Sequence, residues 1–133
     1  MRFLMLYKPD KGPESGRAPD PKHIAEMEQY IAEGYKSGVL VSTGGLHSSA
    51  KGARVRLSGG EVTVTDGPFT ESKEVIGGYA IVQASSKEEA IEMARSFLKL
   101  AGDGETEVRQ MMDPSDFAPG KASEPCAEFI RSA

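Results

Sequence analysis

Apolar residues recur along the chain with two different spacings, which predict six strands and two helices. Residues spaced three and four apart predict amphipathic helices, one between Asp20 and Gly38 and one between Ser86 and Gly102. Apolar runs and two-residue alternation predict the strands Arg2–Tyr7, Val39–Leu46, Ala53–Leu57, Glu61–Thr65, Gly78–Ala84 and Glu105–Met112. The predicted order is β-α-β-β-α-β with a hairpin inserted in its middle.

The residues at the helix ends support both helices. Asp20 before Pro21 is a preferred N-cap, followed by a proline where its missing N–H costs nothing. Ser86 and Glu89 form an S-x-x-E pattern, which predicts a capping box. The expected buried stripes are Ile24, Met27, Ile31 and Tyr35 in the first helix, and Ala90, Ile91, Ala94, Phe97 and Leu98 in the second.

The inserted hairpin has a clear turn and a clear alternation. Its two strands flank Ser58–Glu61, whose two glycines supply the positive φ angles of a tight turn. Alternation places Arg54 and Arg56 on one face of the hairpin and apolar residues on the other. On this pattern we expect Val62 and Val64 to be buried.

The element order predicts an α+β domain with the ferredoxin-like arrangement over residues 1–112. Both helices then lie on one face of the sheet. Nothing else in the chain is large enough to cover the other face, so we expect a second copy, and hence a homodimer. From Asp113 onward Pro, Ser, Ala and Gly dominate, which predicts an irregular tail over residues 113–133.

Composition and charge exclude several classes of protein. The 133 residues fit one domain. A net charge of -4 without any basic run argues against nucleic-acid binding. No apolar run approaches the roughly 20 residues of a membrane span, and the N-terminus lacks a signal-peptide pattern, so a cytoplasmic location is expected. A single cysteine, Cys126, excludes an intrachain disulfide.

The segment TDGPFTESKEVIGGY, residues 65–79, carries most of the candidate chemistry. Asp66 either accepts backbone N–H groups in an Asx-type turn or serves as a general acid and base in a cleft. Gly67 and Pro68 shape a bend, extended or left-handed, and Phe69 anchors it by burial.

Other residues of this segment have two interpretations each. Gly77 and Gly78 either form a bulge or let the backbone approach a ligand. Glu71 and Lys73 are either a solvated charge run or a binding loop, in which Lys73 holds an anionic group and Glu71 polarises the substrate or pairs with Lys73. The Tyr79 phenol either donates a hydrogen bond into the same cleft or is an ordinary half-buried strand residue.

The remaining candidates are two histidines and an arginine. His47 follows a strand end and is a candidate second proton carrier, whereas His23 begins a helix and is expected at the surface. Arg54 either binds an anionic substrate at the cleft rim or faces solvent. The histidines and carboxylates have no metal-site spacing, and no phosphate loop or dinucleotide fingerprint occurs, so we expect neither metal nor cofactor.

The segment VTDGPFTESKEVIGGYAIVQ, residues 64–83, resembles the DGPF-motif branch of the YciI-like (YCII-related) family. The early MLY, the GVLVSTGGL before the hairpin and the late EVR support this resemblance. It implies a ferredoxin-like domain that dimerises into an α/β barrel. It also implies enzymatic roles built around a His/Asp pair in the YciI branch, where His23 lies near the expected position, and a functional link of DGPF proteins to sigma factors.

Three functional hypotheses follow. The first is a cofactor-free small-molecule enzyme in which Asp66 and His47 move protons. The second is a non-catalytic regulatory or metabolite-binding module linked to a sigma-factor system. The third is that the DGPF motif serves only the fold and the dimer. An enzyme requires a carboxylate and a histidine within proton-transfer reach of a common point, and a binding module does not.

Overall fold

The structure is a computed structural model that describes residues 1–10, 20–69 and 75–117. The predicted elements are all found there, with ends shifted by one or two residues. The helices are α1 (Pro21–Ser37) and α2 (Lys87–Ala101). The strands are β1 (Arg2–Pro9), β2 (Leu40–Gly45), β3 (Ala53–Ser58), β4 (Glu61–Asp66), β5 (Gly78–Gln83) and β6 (Gly104–Gln110). In this part of the chain neither helix is long and apolar enough to cross a membrane.

The strands form two separate sheets. The main sheet has the order β2-β5-β1-β6, and every neighbouring pair in it is antiparallel. This α+β arrangement is consistent with the predicted ferredoxin-like fold. Strands β3 and β4 pair only with each other, so the inserted hairpin stands apart from the main sheet. Gly59 and Gly60 adopt φ angles of 59° and 83° in its turn, as predicted.

The hydrophobic core lies between one face of the main sheet and α2. Its buried members are Phe3, Met5, Val82, Ala84, Ala90 and Ala94. The two alanines of α2 have small side chains, which let the helix backbone lie close to the sheet without leaving voids. The predicted stripe of α2 is therefore confirmed at its centre.

The stripe of α1 is rotated from the prediction. Met27 and Ile31 are half-buried as expected, but Ile24 and Tyr35 are 42% and 48% exposed. Gly34 faces the sheet instead, and a Cβ atom there would lie 3.1 Å from the Cβ of Leu40. The helix therefore contacts β2 at a glycine, and a pattern of hydrophobic side chains cannot predict a contact at a residue that has none.

The helix ends at Asp20, Gly38 and Ser86 are capped as the sequence predicts, whereas the Glu89 carboxylate is not part of a cap. The Asp20 carboxylate accepts a hydrogen bond from the Lys22 N–H at 3.0 Å, and Gly38 ends α1 with φ 81°. The Ser86 hydroxyl accepts from the Glu89 N–H at 3.1 Å. The reciprocal half of the predicted capping box is wrong, because the Glu89 carboxylate accepts from the hydroxyl of Ser85.

The burial predicted for the hairpin is also wrong. Cross-strand pairing does place Val55 opposite Val64 and Leu57 opposite Val62, on one face. That face is uncovered, with Val62 and Val64 63% exposed and Val55 and Leu57 70% exposed. The alternation correctly reported which side chains share a face, but the hairpin does not join the main sheet.

Tyr7 contacts α2 from the last half of β1. Its ring meets that of Phe97 edge to face, with centroids 5.1 Å apart and planes at 86°. Burial, followed by the negative charges of Asp10 and Asp103, raises the pKa of Tyr7 above its ordinary value. The folded protein thus favours the neutral phenol.

This raised pKa predicts a loss of stability in alkali. The contribution is fully present below the unfolded-state pKa and is lost as the pH rises through the higher folded-state pKa. Tyr7→Phe keeps the ring contact and removes the ionisable group. From about pH 9 to about pH 11 we expect the mutant to lose less free energy of unfolding than the wild type, in urea titrations at each pH. Tyr35→Phe, at an exposed position, is the control, and equal losses in wild type and Tyr7→Phe would contradict the prediction.

Candidate functional site

The face of the main sheet opposite the helices is called the open face below. Strand register places half-buried Leu4 and Leu6 beside Ile81 and Tyr79 at its centre. The centre is thus apolar with a phenol at one end, and the flanks are polar. The flanking residues are Ser42 and Gly44 of β2 on one side, and Glu105, Glu107 and Arg109 of β6 on the other.

Tyr79 is held in place on this face by three neighbours. Its hydroxyl lies 3.2 Å from the hydroxyl of Ser42, and either group can donate. The Thr43 hydroxyl donates to the Tyr79 carbonyl at 2.7 Å. A Cβ on Gly44 would come within 3.0 Å of the Tyr79 ring, so glycine leaves room for the phenol. Since two hydroxyls share one hydrogen bond, one O–H and several lone pairs remain for a ligand.

A charged cluster lies at the β6 side of the open face. The Lys8 ammonium is 3.2 Å from one Glu107 oxygen and 3.9 Å from Glu105, and the Lys8 side chain is only 12% exposed. Hydrogen bonds, first from Arg109 and then from Lys8, lower the pKa of Glu107. Sequence reasoning missed Lys8 because it ended the first strand at Tyr7, whereas β1 continues to Pro9.

The DGPF turn packs directly on the 3-10 turn Ser49–Lys51. A Cβ on Gly67 would lie 1.6 Å from the Ser49 carbonyl oxygen, which leaves no space for any side chain. The Gly67 N–H donates to the Gly52 carbonyl at 3.0 Å, and the Phe69 N–H donates to the buried Ser49 hydroxyl at 2.9 Å. Gly67 precedes Pro68 through a cis peptide, and its φ is not positive. The reason for glycine at this position is therefore the close packing on Ser49 and not a left-handed backbone bend.

Asp66 and His47 lie on the two segments that this packing joins. Asp66 is the last residue of β4, one residue before Gly67, and His47 lies two residues before Ser49. Both are exposed. Within the described residues no donor forms a hydrogen bond with the Asp66 carboxylate, so the bonds of an Asx-type turn are not formed there.

Arg54 contacts the anchor of the DGPF turn. Its guanidinium carbon lies 3.9 Å from the centroid of the half-buried Phe69 ring, which is cation–π geometry. The arginine is exposed, and its guanidinium also packs on the Phe69 ring at the base of the hairpin. Lys73 and Glu71 lie outside the described residues.

Gly77 and Gly78 bring neighbouring segments together at the same end of the main sheet. A Cβ on Gly77 would lie 2.8 Å from the Cδ of Pro9, and one on Gly78 would lie 3.1 Å from the Gly44 carbonyl oxygen. The Leu46 N–H donates to the Gly77 carbonyl at 2.9 Å. The space beside both glycines is filled by protein, and the bulge in this sheet lies in β2 instead.

The described residues contain no group of three His, Cys, Asp or Glu side chains placed to hold a metal ion. His23 is half-buried in the first turn of α1, which packs on the helix-covered side of the sheet. It is therefore separated from the open face by the sheet itself.

The packing of Gly67 predicts a large effect of a single methyl group. Gly67→Ala must push the Ser49 backbone away, and overpacking of this kind costs typically about 1–3 kcal/mol or more. Gly45→Ala is the matched control, because no atom lies within 4 Å of its Cβ position and its φ is not positive. Urea unfolding of both variants measures the difference. Equal stability of Gly67→Ala and wild type would contradict the packing.

A comparison with protein-family models identifies the family. The chain matches the model of the YCII-related domain over residues 1–113. The uncharacterised protein R00369 of Rhizobium meliloti (strain 1021) is 34% identical over 93 residues, which are 69% of this chain and 75% of that protein. A solved structure, the 5-chloro-2-hydroxyhydroquinone dehydrochlorinase from Burkholderia phenoliruptrix AC1100 with 2,5-dihydroxybenzoquinone, matches 85% of this chain and 95% of its own, with 19% identity and a TM-score of 0.46. The family match covers most of the chain, and the chain therefore belongs to the YCII-related domain family.

Proposed function

We propose that this YCII-related protein of the DGPF branch is a small-molecule enzyme that uses acid–base residues of its own and no cofactor. The observation that carries the proposal is the contact of Gly67 with the Ser49 carbonyl. This contact joins the segment that bears Asp66 to the segment that bears His47. A carboxylate and an imidazole, which both carry protons near neutral pH in enzymes, are therefore supplied from adjoining segments.

Asp66 is the proposed acid and base. Since no described residue donates a hydrogen bond to its carboxylate, its lone pairs are available for a substrate proton. His47 is the proposed second carrier. Both groups must reach the substrate within hydrogen-bond distance, directly or through one water, and the exposure of both side chains leaves them room to do so.

The open face is the proposed binding surface. Half-buried Leu4 and Leu6, beside the buried Ile81, offer an apolar floor, and the hydroxyls of Ser42 and Tyr79 offer directional hydrogen bonds. Small-molecule sites commonly combine an apolar lining with a few fixed polar groups. We assign orientation of an anionic substrate group to Arg54 and Lys73, and polarisation of the substrate or pairing with Lys73 to Glu71.

A second copy is the proposed cover of this face. In the described residues both helices lie on the opposite face of the sheet, and a half-apolar sheet face is stable when another layer packs on it. Homodimerisation into an α/β barrel would enclose the open face and exclude water from a bound substrate.

The exposure of Asp66 and His47 favours one other candidate function. Catalytic carboxylates commonly gain their reactivity from desolvation, and neither group is desolvated in the single chain. A metabolite-binding module in a sigma-factor system would need no proton transfer. The two functions differ in whether a bound compound is converted.

A thermal-shift screen followed by a turnover assay tests the proposal. A ligand raises the melting temperature with concentration. We expect at least one compound that both shifts it and is converted, as detected by mass spectrometry. Asp66→Asn should bind that compound and convert it about 10²–10⁴-fold more slowly, since acid–base catalysis contributes about this factor.

Glu61→Gln is the matched control for Asp66→Asn, because it neutralises an exposed carboxylate at the other end of the same strand. His47→Gln should slow turnover, whereas His23→Gln should not. A folded Asp66→Asn variant with wild-type turnover would refute the catalytic assignment. Binding without any conversion would favour the metabolite-binding module.

The hydroxyl pair on the open face gives a separate prediction. Tyr79→Phe and Ser42→Ala should each weaken binding of the screened compound about 3- to 10-fold, since a hydrogen bond contributes about 0.5–1.5 kcal/mol. Their effects should combine to less than the product, because the two hydroxyls bond each other. Isothermal titration calorimetry of the two single variants and the double variant measures this, with Tyr35→Phe as control. Full multiplicativity would show that the pair does not act together.

A further inference from the structure

A row of directly opposed residues crosses the open face from one edge of the main sheet to the other. The pairing registers place Ser42 opposite Ile81 and Ile81 opposite Leu4. Leu4 is in turn opposite Arg109. The row begins with a hydroxyl at the β2 edge, continues over two apolar side chains and ends with a guanidinium at the β6 edge. Opposed side chains lie on the same face of a sheet, so one compound lying across the strands can contact all four.

The guanidinium of Arg109 has hydrogen-bond donors to spare. Within residues 1–10, 20–69 and 75–117 it makes one hydrogen bond, in which Nη1 donates to Oε2 of Glu107 at 3.0 Å. A guanidinium carries five N–H donors in a rigid fork that matches the two oxygens of a carboxylate. The Arg109 side chain is 68% exposed, so its other donors are accessible to a ligand.

Two further side chains hold this guanidinium in place and set the charge around it. Glu107 accepts from Arg109 at one carboxylate oxygen and from Lys8 at the other, 3.2 Å away. The Lys8 side chain is only 12% exposed, which restricts its motion. Two cations around one carboxylate leave one net positive charge on these three residues. A carboxylate carries one negative charge, whereas a phosphate monoester carries about 1.5 to 2 at pH 7, so the balance favours a carboxylate.

We propose that Arg109 binds the carboxylate of a flat hydroxy acid, whose apolar body lies on the leucine and isoleucine of the row and whose hydroxyl bonds Ser42. The inference rests on the proposed function in that it uses the open face as the binding surface, and it adds the chemical class of the substrate. Arg109 is then a substrate-binding residue, and Lys8 and Glu107 are positioning residues that act through it. Arg54, by contrast, lies on the separate hairpin.

The width of the sheet sets the length of the compound. Neighbouring strands are about 4.8 Å apart, so three spacings separate the ends of the row by about 14 Å. A hydrogen bond of about 2.9 Å at each end leaves about 8 Å between the hydroxyl oxygen and the carboxylate of the ligand. An aromatic ring with a short unsaturated side chain suits this length, as in para-hydroxycinnamate. In para-hydroxybenzoate the two groups are too close together to reach both ends of the row.

Equilibrium binding of para-hydroxycinnamate tests the inference, by isothermal titration calorimetry. Arg109→Gln should weaken binding about 10- to 100-fold, the range for a hydrogen bond between charged groups. Arg95→Gln is the matched control, because Arg95 is also 68% exposed and is also paired with a glutamate, Glu92 at 3.6 Å, but lies on α2. It should bind as the wild type does.

Analogues of the acid test the two ends separately. The methyl ester lacks the negative charge, and cinnamate lacks the hydroxyl, so both should bind the wild type more weakly than para-hydroxycinnamate. Arg109→Gln should not weaken binding of the ester further, and Ser42→Ala should not weaken binding of cinnamate further. The shorter para-hydroxybenzoate and the dianionic para-nitrophenyl phosphate should both bind more weakly than para-hydroxycinnamate.

Lys8→Met tests the positioning role. It should weaken binding of para-hydroxycinnamate several-fold and leave binding of the methyl ester unchanged, and Lys8→Arg should restore the affinity for the acid. A merely structural Lys8 would change the melting temperature and would affect the acid and the ester alike.

Three results would overturn the inference: no binding of para-hydroxycinnamate to the wild type, equal affinity of Arg109→Gln and Arg95→Gln, or tighter binding of the phosphate than of the acid. The fate of the proposed function is separate, since Asp66→Asn should bind para-hydroxycinnamate as the wild type does. A protein that binds the acid through Arg109 but converts no compound would keep this inference and refute the acid–base chemistry.

Discussion

The contact between Gly67 and the Ser49 carbonyl is the constraint on which the candidate site depends. It holds the end of β4 against the 3-10 turn after β2, at the base of the hairpin. The Phe69 N–H and the Ser49 hydroxyl add a directional bond beside it. Because the contact joins two backbones, no side chain could replace the glycine and keep the same separation. The placement of Asp66 relative to the His47 segment follows from this one approach.

Close backbone approach recurs at the same end of the sheet. Gly77 lies against Pro9, and Gly44 leaves space for the ring of Tyr79. At these positions glycine is required because a side chain would collide with the neighbouring residue. A motif rich in glycine can therefore be required by packing even where no catalysis occurs. The hypothesis that DGPF serves the fold is thus compatible with the enzymatic proposal, since the packing residues and the proton-carrying residues are different ones.

Much of the fold could be predicted from the sequence, because periodicity reports which side chains share a face. The order of the strands and helices along the chain and the hairpin turn follow from it together with the glycines of the turn. Periodicity does not report what covers a face, so the predicted burial of Val62 and Val64 was wrong. Nor does it give strand register, which is what brings Ser42 to Tyr79. Lys8 was missed for a related reason, since a strand that ends in proline resembles the start of a loop.

The position of Asp66 links the hairpin to the chemistry. In β4 side chains alternate, so Asp66 lies on the same face as Val62 and Val64. Any layer that covered these valines would therefore also approach the Asp66 carboxylate and remove water from it. The exposure of Asp66, which favours a binding module, would then last only while this face of the hairpin is uncovered.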